Sequence, residues 1–228
     1  MSELTLSAVD RDEVLIEAVD ALHGSTRAAF LRSAAFGGAA MLTALAAPSE
    51  AVAGVSDVEI LQFGLRFERM QATFYTQADE MGTIGRMPDA RKTWARTLGA
   101  HERAHVKIIK SVLGRAAEPR PFFAFGDAIE SGHAFTRTAV AMEDLTVALL
   151  AGVAPRVQNR ELTAALFGLL TVEARHAAWA RHIAGATPAP RSMDEPRSLS
   201  SVRDAVARTH FIVSKPKTEG RSRPEYTS

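Results

Sequence analysis

The sequence contains no cysteine, and this absence narrows the chemistry open to the protein. Disulfide bonds, zinc sites built from thiolates and cysteine-based catalysis are all excluded. Any metal ion must therefore be held by His and carboxylate side chains. A chain without cysteine is compatible with the cytoplasm and with export, so this absence does not decide the compartment.

Bulky aromatic residues and unbalanced charge are also scarce. The 228 residues include 2 Trp and 2 Tyr, and 27 basic residues against 26 acidic ones give a formal net charge of +1. Nucleic-acid-binding proteins need clustered Lys and Arg, and single-strand binders also need aromatic stacking platforms. The composition therefore argues against a nucleic-acid partner. Ala, Leu, Glu and Arg dominate the middle of the chain, which favours helices.

The N-terminal region, residues 1–54, is predicted to be an arm followed by a signal-like segment. After residue 24 comes a mildly apolar Ala/Gly stretch with Arg27 and Arg32, no acidic residue before Glu50, and a small-residue "AVA" ending at Ala53. This layout is typical of signal peptides, and the stretch is too short and too weakly apolar for a stable membrane span.

The segment "TRAAFLR" resembles the twin-arginine export motif, (S/T)-R-R-x-F-L-K, with Ala28 in place of the second arginine. We therefore expect export to the periplasm or the cell exterior. The alternative is a cytoplasmic protein in which this stretch is an Ala-rich helix or tether.

From residue 55 the pattern predicts an all-α protein. Four helices are expected over residues 55–186, with Ser56 and Asn159 as N-caps of the first and the fourth. Short connections join helices one to two and three to four, whereas about 17 residues join helices two and three. This pattern predicts a four-helix bundle with one long crossover between helices 2 and 3. Residues 187–213 are expected to form an extension with a short helix, and residues 214–228 a disordered tail.

Each predicted helix carries one glutamate in the middle of its apolar stripe, namely Glu68, Glu102, Glu143 and Glu173. Helices two and four add a histidine three residues later, His105 and His176, which projects from the same helix face. Four carboxylates in one core are costly unless their charge is compensated. A pair of divalent cations would compensate it, and we predict that these six residues are metal ligands. The alternative is four core carboxylates that are satisfied separately.

Other histidines are not expected to belong to this set. A third Glu-x-x-His match, Glu130 to His133, contains Gly and stands at a helix start, so we interpret it as capping or coincidence. His101 adjoins Glu102 but points about 100° away on a helix. His182 is expected near a helix end, and His23 and His210 lie outside the bundle.

Four phrases in the sequence resemble the ferritin-like superfamily, and in particular the bacterial ferritin-like domain proteins related to desiccation-associated proteins. These phrases are "ILQFGLRFERMQATFY", "AHERAHVKII", "AVAMEDLTVALLAG" and "LLTVEARHAAWARHI". The resemblance implies that Glu102 and Glu173 bridge two metal ions, that Glu68 and Glu143 are terminal ligands, and that each His supplies one nitrogen. Such mixed ligands suit two iron ions or, alternatively, two manganese ions.

The resemblance leaves the reaction open. We expect ferroxidase or peroxidase-type chemistry, in which Fe(II) is oxidised or O₂ or peroxide is reduced, in oxidative-stress or iron handling. The alternative is a non-catalytic metal-binding or stress-protective structural bundle. Tyr75, Asp144 and Arg175 are candidates to orient the ligands; the alternative is that each is a surface or packing residue. Both a monomer and a homo-oligomer stay open.

Overall fold

The computed structural model describes residues 55–214; the predicted leader and all but the first residue of the predicted tail lie outside the described residues. The described residues form an all-α fold, which confirms the predicted fold class. Its helices are α1 (Asp57–Glu80), α2 (Asp89–Leu113), α3 (Gly132–Val153), α4 (Arg160–Ile183) and α5 (Leu199–Thr209). Helices α1 to α4 form the four-helix bundle, and α5 lies within the C-terminal extension.

Polar side chains fix where the bundle helices begin. Ser56 forms a capping box, in which its hydroxyl accepts from the Glu59 amide at 3.2 Å and the Glu59 carboxylate accepts from the Ser56 amide at 2.8 Å. Asn159 caps α4 by accepting from the Leu162 amide at 2.8 Å. These contacts satisfy amide groups that have no partner inside their own helix. The first and fourth helices therefore begin at the caps that the sequence predicts.

Helices α1 and α2 are antiparallel neighbours. Arg96 near the start of α2 pairs with Asp79 near the end of α1, whereas Ala116 just after α2 accepts a hydrogen bond from Gln62 near the start of α1. Between these points, a Cβ atom on Gly99 would lie 2.8 Å from the Cβ of Tyr75. The absence of a side chain at residue 99 thus lets the two helices approach closely beside Tyr75.

The long crossover, residues 114–131, is tied to the C-terminal extension. Its short strand β1 (Phe122–Phe123) pairs antiparallel with β2 (Ile212–Val213), so that Phe122 lies opposite Val213. The extension is also joined to α3, because the Arg197 amide donates to the Ala148 carbonyl at 2.8 Å. Val202 and Val206 of α5 are buried in the main hydrophobic core. The extension therefore packs against the bundle.

The core has two hydrophobic clusters of buried residues. An aromatic-rich cluster includes Phe74, Trp94 and Phe135, and an aliphatic cluster includes Leu65 and Leu166. On each bundle helix the predicted ligands lie between residues of the aromatic-rich cluster and residues of the aliphatic cluster. The four glutamates Glu68, Glu102, Glu143 and Glu173 therefore lie together within the bundle.

Helix α3 is the most apolar element. The stretch Gly132–Arg156, with a mean hydropathy of 1.4, is long and apolar enough to pass a length-and-composition test for a membrane span. Half of its most apolar window is buried inside the protein, and it carries the buried Glu143. A core helix passes the same test, and packing inside the bundle accounts for this composition.

Candidate metal centre

The structure brings all six predicted ligands together in the middle of the bundle. Each side chain is buried, with exposed fractions between 0% and 9%. They form two overlapping groups in which one potential ligand atom from each residue lies within 4.8 Å of the others. We call the first the Glu68 half-site (Glu68, Glu102, His105, Glu173) and the second the Glu143 half-site (Glu102, Glu143, Glu173, His176). Glu102 and Glu173 belong to both, as their predicted bridging role requires.

In the Glu68 half-site, the Nδ1 atom of His105 faces three carboxylates. It lies 3.0 Å from Glu173 Oε1, 3.3 Å from Glu68 Oε2 and 3.6 Å from Glu102 Oε2. Burial alone would lower the pKa of His105, but these carboxylates outweigh it and raise the pKa to about 12. The imidazole therefore holds a proton while no cation compensates the carboxylates.

The Glu143 half-site has the same arrangement around His176. Its Nδ1 atom lies 3.1 Å from Glu102 Oε1, 3.2 Å from Glu173 Oε2 and 3.7 Å from Glu143 Oε2. Here too burial would lower the pKa of the imidazole, and the three carboxylates raise it to about 11. Both histidines thus direct the same ring nitrogen towards the shared carboxylates.

Burial acts to raise the pKa of every carboxylate in the cluster, but the neighbouring groups make the net shifts differ. Burial, followed by repulsion from Glu102, raises the pKa of Glu68 well above its ordinary value, and burial raises that of Glu143 to about 7. For Glu173, the nearby imidazolium groups of His105 and His176 outweigh burial and lower the pKa to about 2. The cluster thus carries more negative charge than its two imidazolium groups compensate when its carboxylates are ionised.

The residues fit a pair of divalent cations, because several of their polar atoms lack a properly oriented hydrogen-bond partner among the described residues. These atoms are Glu68 Oε2, Glu102 Oε1 and Oε2, His105 Nδ1, Glu143 Oε2 and Glu173 Oε1. Several of them lie within 4 Å of one another but do not align as donor and acceptor. An unsatisfied buried polar group costs about 1–3 kcal/mol. Atoms that converge without pairing are arranged as ligands of a shared ion, and imidazole with carboxylate is a suitable donor set for iron or manganese.

Tyr75 is the one residue of the three orienting candidates that contacts the cluster. Tyr75 lies on α1, and its hydroxyl donates to Glu143 Oε1 of α3 at 2.6 Å. Burial, followed by the charge of Glu143, raises the pKa of Tyr75 well above its ordinary value, so the phenol keeps its proton. Asp144 pairs instead with Arg181 at 2.8 Å, and Arg175 is exposed.

His101 is not among the six clustered ligands, but it contacts one of them. Its Nδ1 atom lies 2.8 Å from Nε2 of His176, and the two rings are nearly parallel with centroids 5.1 Å apart. The angle of about 100° between His101 and Glu102 describes their positions around α2, but it does not determine which residues of α4 lie opposite His101. A usable signal was present, because His101 and His105 are four residues apart and therefore share a face of α2.

The third Glu-x-x-His match does not belong to the cluster. Glu130 lies just before α3 and His133 in its first turn, and both are exposed. His182 and His210 are exposed as well, and His23 lies outside the described residues.

A small apolar cavity of about 20 Å³ adjoins Glu68. Apart from Glu68 and Thr146, the described residues that line it are apolar or glycine. The Thr146 hydroxyl is engaged, since it donates to Gln71 Oε1 at 2.6 Å. Gly64, in the middle of α1, contributes to the space because no atom lies within 4 Å of where its Cβ would be. A cavity of this size holds one molecule about as large as water.

Comparison with known proteins supports the architecture described above. The family model of the ferritin-like domain matches residues 56–186, which include α1 to α4 and all six clustered ligands. A comparison with curated proteins finds no significant match. The match covers more than half of the 228 residues. The chain therefore belongs to the ferritin-like domain family.

Proposed function

We propose that this protein binds two iron ions at the buried cluster and uses them in redox chemistry with O₂ or peroxide. The observation that carries the proposal is the pair of overlapping half-sites, each with a His and a Glu of its own and with Glu102 and Glu173 in common. Two manganese ions are the alternative, because the same donor set suits either metal.

The protein's contribution is to hold the ligands in a dry, fixed arrangement. Burial of all six side chains excludes bulk water. Tyr75 fixes one oxygen of Glu143. His101 fixes Nε2 of His176, the ring nitrogen that faces away from the carboxylates. A bound pair of ferrous ions supplies two electrons, which with two protons reduce dioxygen to hydrogen peroxide, or hydrogen peroxide to two waters.

The apolar cavity favours dioxygen over peroxide as the oxidant. It touches the cluster at Glu68 and offers almost no polar partners to a bound molecule. Water and peroxide need several hydrogen bonds when they are buried, whereas dioxygen needs none. A small apolar oxidant is therefore the best match to this space.

A second function, a metal-stabilised bundle without turnover, is favoured by the position of the cluster. Its ligands come from all four bundle helices. A metal pair held there would join the four helices and add its binding free energy to the stability of the fold.

Anaerobic loading with Fe(II), followed by exposure to air, separates the two functions. If the protein is an enzyme, we expect wild type to bind two Fe(II) per chain and to show a rapid rise in ferric absorbance in air. Glu102→Ala should lack this rise. Glu130→Ala is the matched control, because it removes an exposed glutamate of a Glu-x-x-His pair outside the cluster. Retained iron that oxidises no faster than free Fe(II) would favour the structural bundle.

We also propose export, supported by the leader-like segment within residues 1–54, which lies outside the described residues. Replacing Ala28 with Arg restores the arginine pair and should increase secretion of the folded protein. If wild type and Ala28→Arg stay in the cytoplasm in equal amounts, this result would contradict export by this route.

A further inference from the structure

A groove of about 170 Å³ lies between α1 and α2 and is lined by basic side chains. We call it the basic groove and define it by its five cationic residues: Arg69, Arg103, Lys107, Lys110 and Arg120. Its one acidic lining residue among those described is Glu80. This concentration of charge stands out in a chain whose net charge is +1.

Neutral acceptors hold Arg69 and Arg103 in place. Arg69, which is 8% exposed, donates to the Glu118 carbonyl at 2.6 Å. Arg103 donates to the Thr76 hydroxyl at 3.3 Å. Such contacts orient a guanidinium group and leave its positive charge in place.

The hydroxyl of Thr73 has a similar role. It donates its own proton to the Arg69 carbonyl at 2.6 Å and accepts a hydrogen bond from Arg120 at 2.8 Å. The Arg120 guanidinium is thus anchored to α1 one turn after Arg69.

Carboxylates compensate this charge only in part. Glu118 attracts Arg69 but forms its ion pair with Arg66, at 2.5 Å. Within residues 55–214, no carboxylate lies within 4.0 Å of the charged nitrogens of Arg69, Arg103, Lys107 or Lys110. Four of the five cations of the groove therefore have no carboxylate partner within residues 55–214, and such an arrangement is suited to binding an anion.

We propose that the basic groove binds a small phosphate-type oxyanion. Guanidinium groups match the oxygens of phosphate in pairs, and lysines add point charges that adapt to the bound ion. The groove has room for one such ion with its water, and the net charge of the chain supplies no broad basic face for a nucleic acid. The proposal does not depend on the metal chemistry, although Arg69 and Arg103 directly follow the ligands Glu68 and Glu102.

Titration of the full chain with inorganic phosphate at low ionic strength, followed by calorimetry, tests the proposal. We expect saturable binding of one phosphate per chain. The double variant Lys107→Gln/Lys110→Gln should weaken it about tenfold or more, because charge-assisted hydrogen bonds are lost. Both lysines are exposed, so the variant is expected to fold.

The matched control is Lys92→Gln/Arg96→Gln, which removes the same charge from the same helix at residues already paired with Asp89 and Asp79. It should bind phosphate like wild type. Absence of saturable binding, or equal weakening in both double variants, would overturn the proposal. So would an oligonucleotide that binds through Lys107 and Lys110 more tightly than free phosphate does.

Discussion

The two half-sites use the same kinds of ligand but differ in what surrounds them. In the Glu143 half-site, Tyr75 donates to the Glu143 carboxylate, and His101 contacts Nε2 of His176. In the Glu68 half-site, the described part of the chain provides no hydrogen bond from outside the cluster to Glu68 or His105, and Glu68 adjoins the apolar cavity. A nearly symmetric set of ligands therefore does not make two equivalent sites.

This difference assigns separate roles to the half-sites. Ligands whose orientation is fixed beforehand lose less conformational freedom when a metal binds. We therefore expect the Glu143 half-site to bind metal more tightly, and the Glu68 half-site to receive the small oxidant. The predictions that follow test this division.

The largest effect is expected where the half-sites overlap. Replacing either Glu102 or Glu173 by alanine removes a ligand from both, so the metal content should fall from two ions per chain to near zero. Metal analysis of purified protein measures this, with Glu130→Ala as the exposed control that keeps both ions. A variant that keeps both ions would show that the shared glutamates do not bridge.

Replacing the terminal glutamates separately should distinguish the half-sites. Glu68→Ala should keep about one ion, bound with the affinity of the better oriented half-site. Glu143→Ala should keep one ion that dissociates more readily during dialysis against a chelator. Equal retention in both variants would remove the proposed asymmetry.

A smaller and more local effect is expected at His101. His101→Phe removes the contact with His176 and should weaken metal binding at the Glu143 half-site roughly 10- to 100-fold, the usual effect of losing such a partner. His101→Asn, whose side-chain oxygen takes the place of Nδ1, should restore much of the affinity. Chelator competition titrations measure both, and an unchanged tighter site in His101→Phe would contradict the positioning role.

The smallest effect is expected at the cavity. Gly64→Leu places a side chain in open space on α1 and should raise the KM for dioxygen a few-fold during Fe(II) oxidation while metal content stays the same. Gly168→Leu is the matched control, because residue 168 is an exposed helical glycine with no atom near its missing Cβ. Equal oxygen dependence in the two variants would exclude the cavity as the route.

The sequence predicts the bundle well because local signals define it. Caps at Ser56 and Asn159 mark helix starts. The three-residue spacing within Glu102–His105 and Glu173–His176 places each pair on one helix face. The grouping of six ligands follows once each helix is known to bury its glutamate.

Contacts between distant segments could not be predicted in the same way. The His101 contact depends on how α2 faces α4, and the Tyr75 contact joins residues 68 positions apart. The pairing of Phe122 with Val213 involves strands of two residues, which are too short for any periodicity. Periodicity describes single helices, whereas these contacts are set by the packing of several.

Anomalous diffraction from crystals loaded with iron or manganese tests the central claim most directly. The account predicts two anomalous peaks inside the bundle, one in each half-site, with Glu102 and Glu173 contacting both. When loaded crystals are soaked in a metal-free solution, the peak beside Glu68 should weaken before the peak in the Glu143 half-site. A bundle without peaks, in which His105 and His176 keep their contacts of 3.0–3.7 Å with the carboxylates after metal loading, would contradict it.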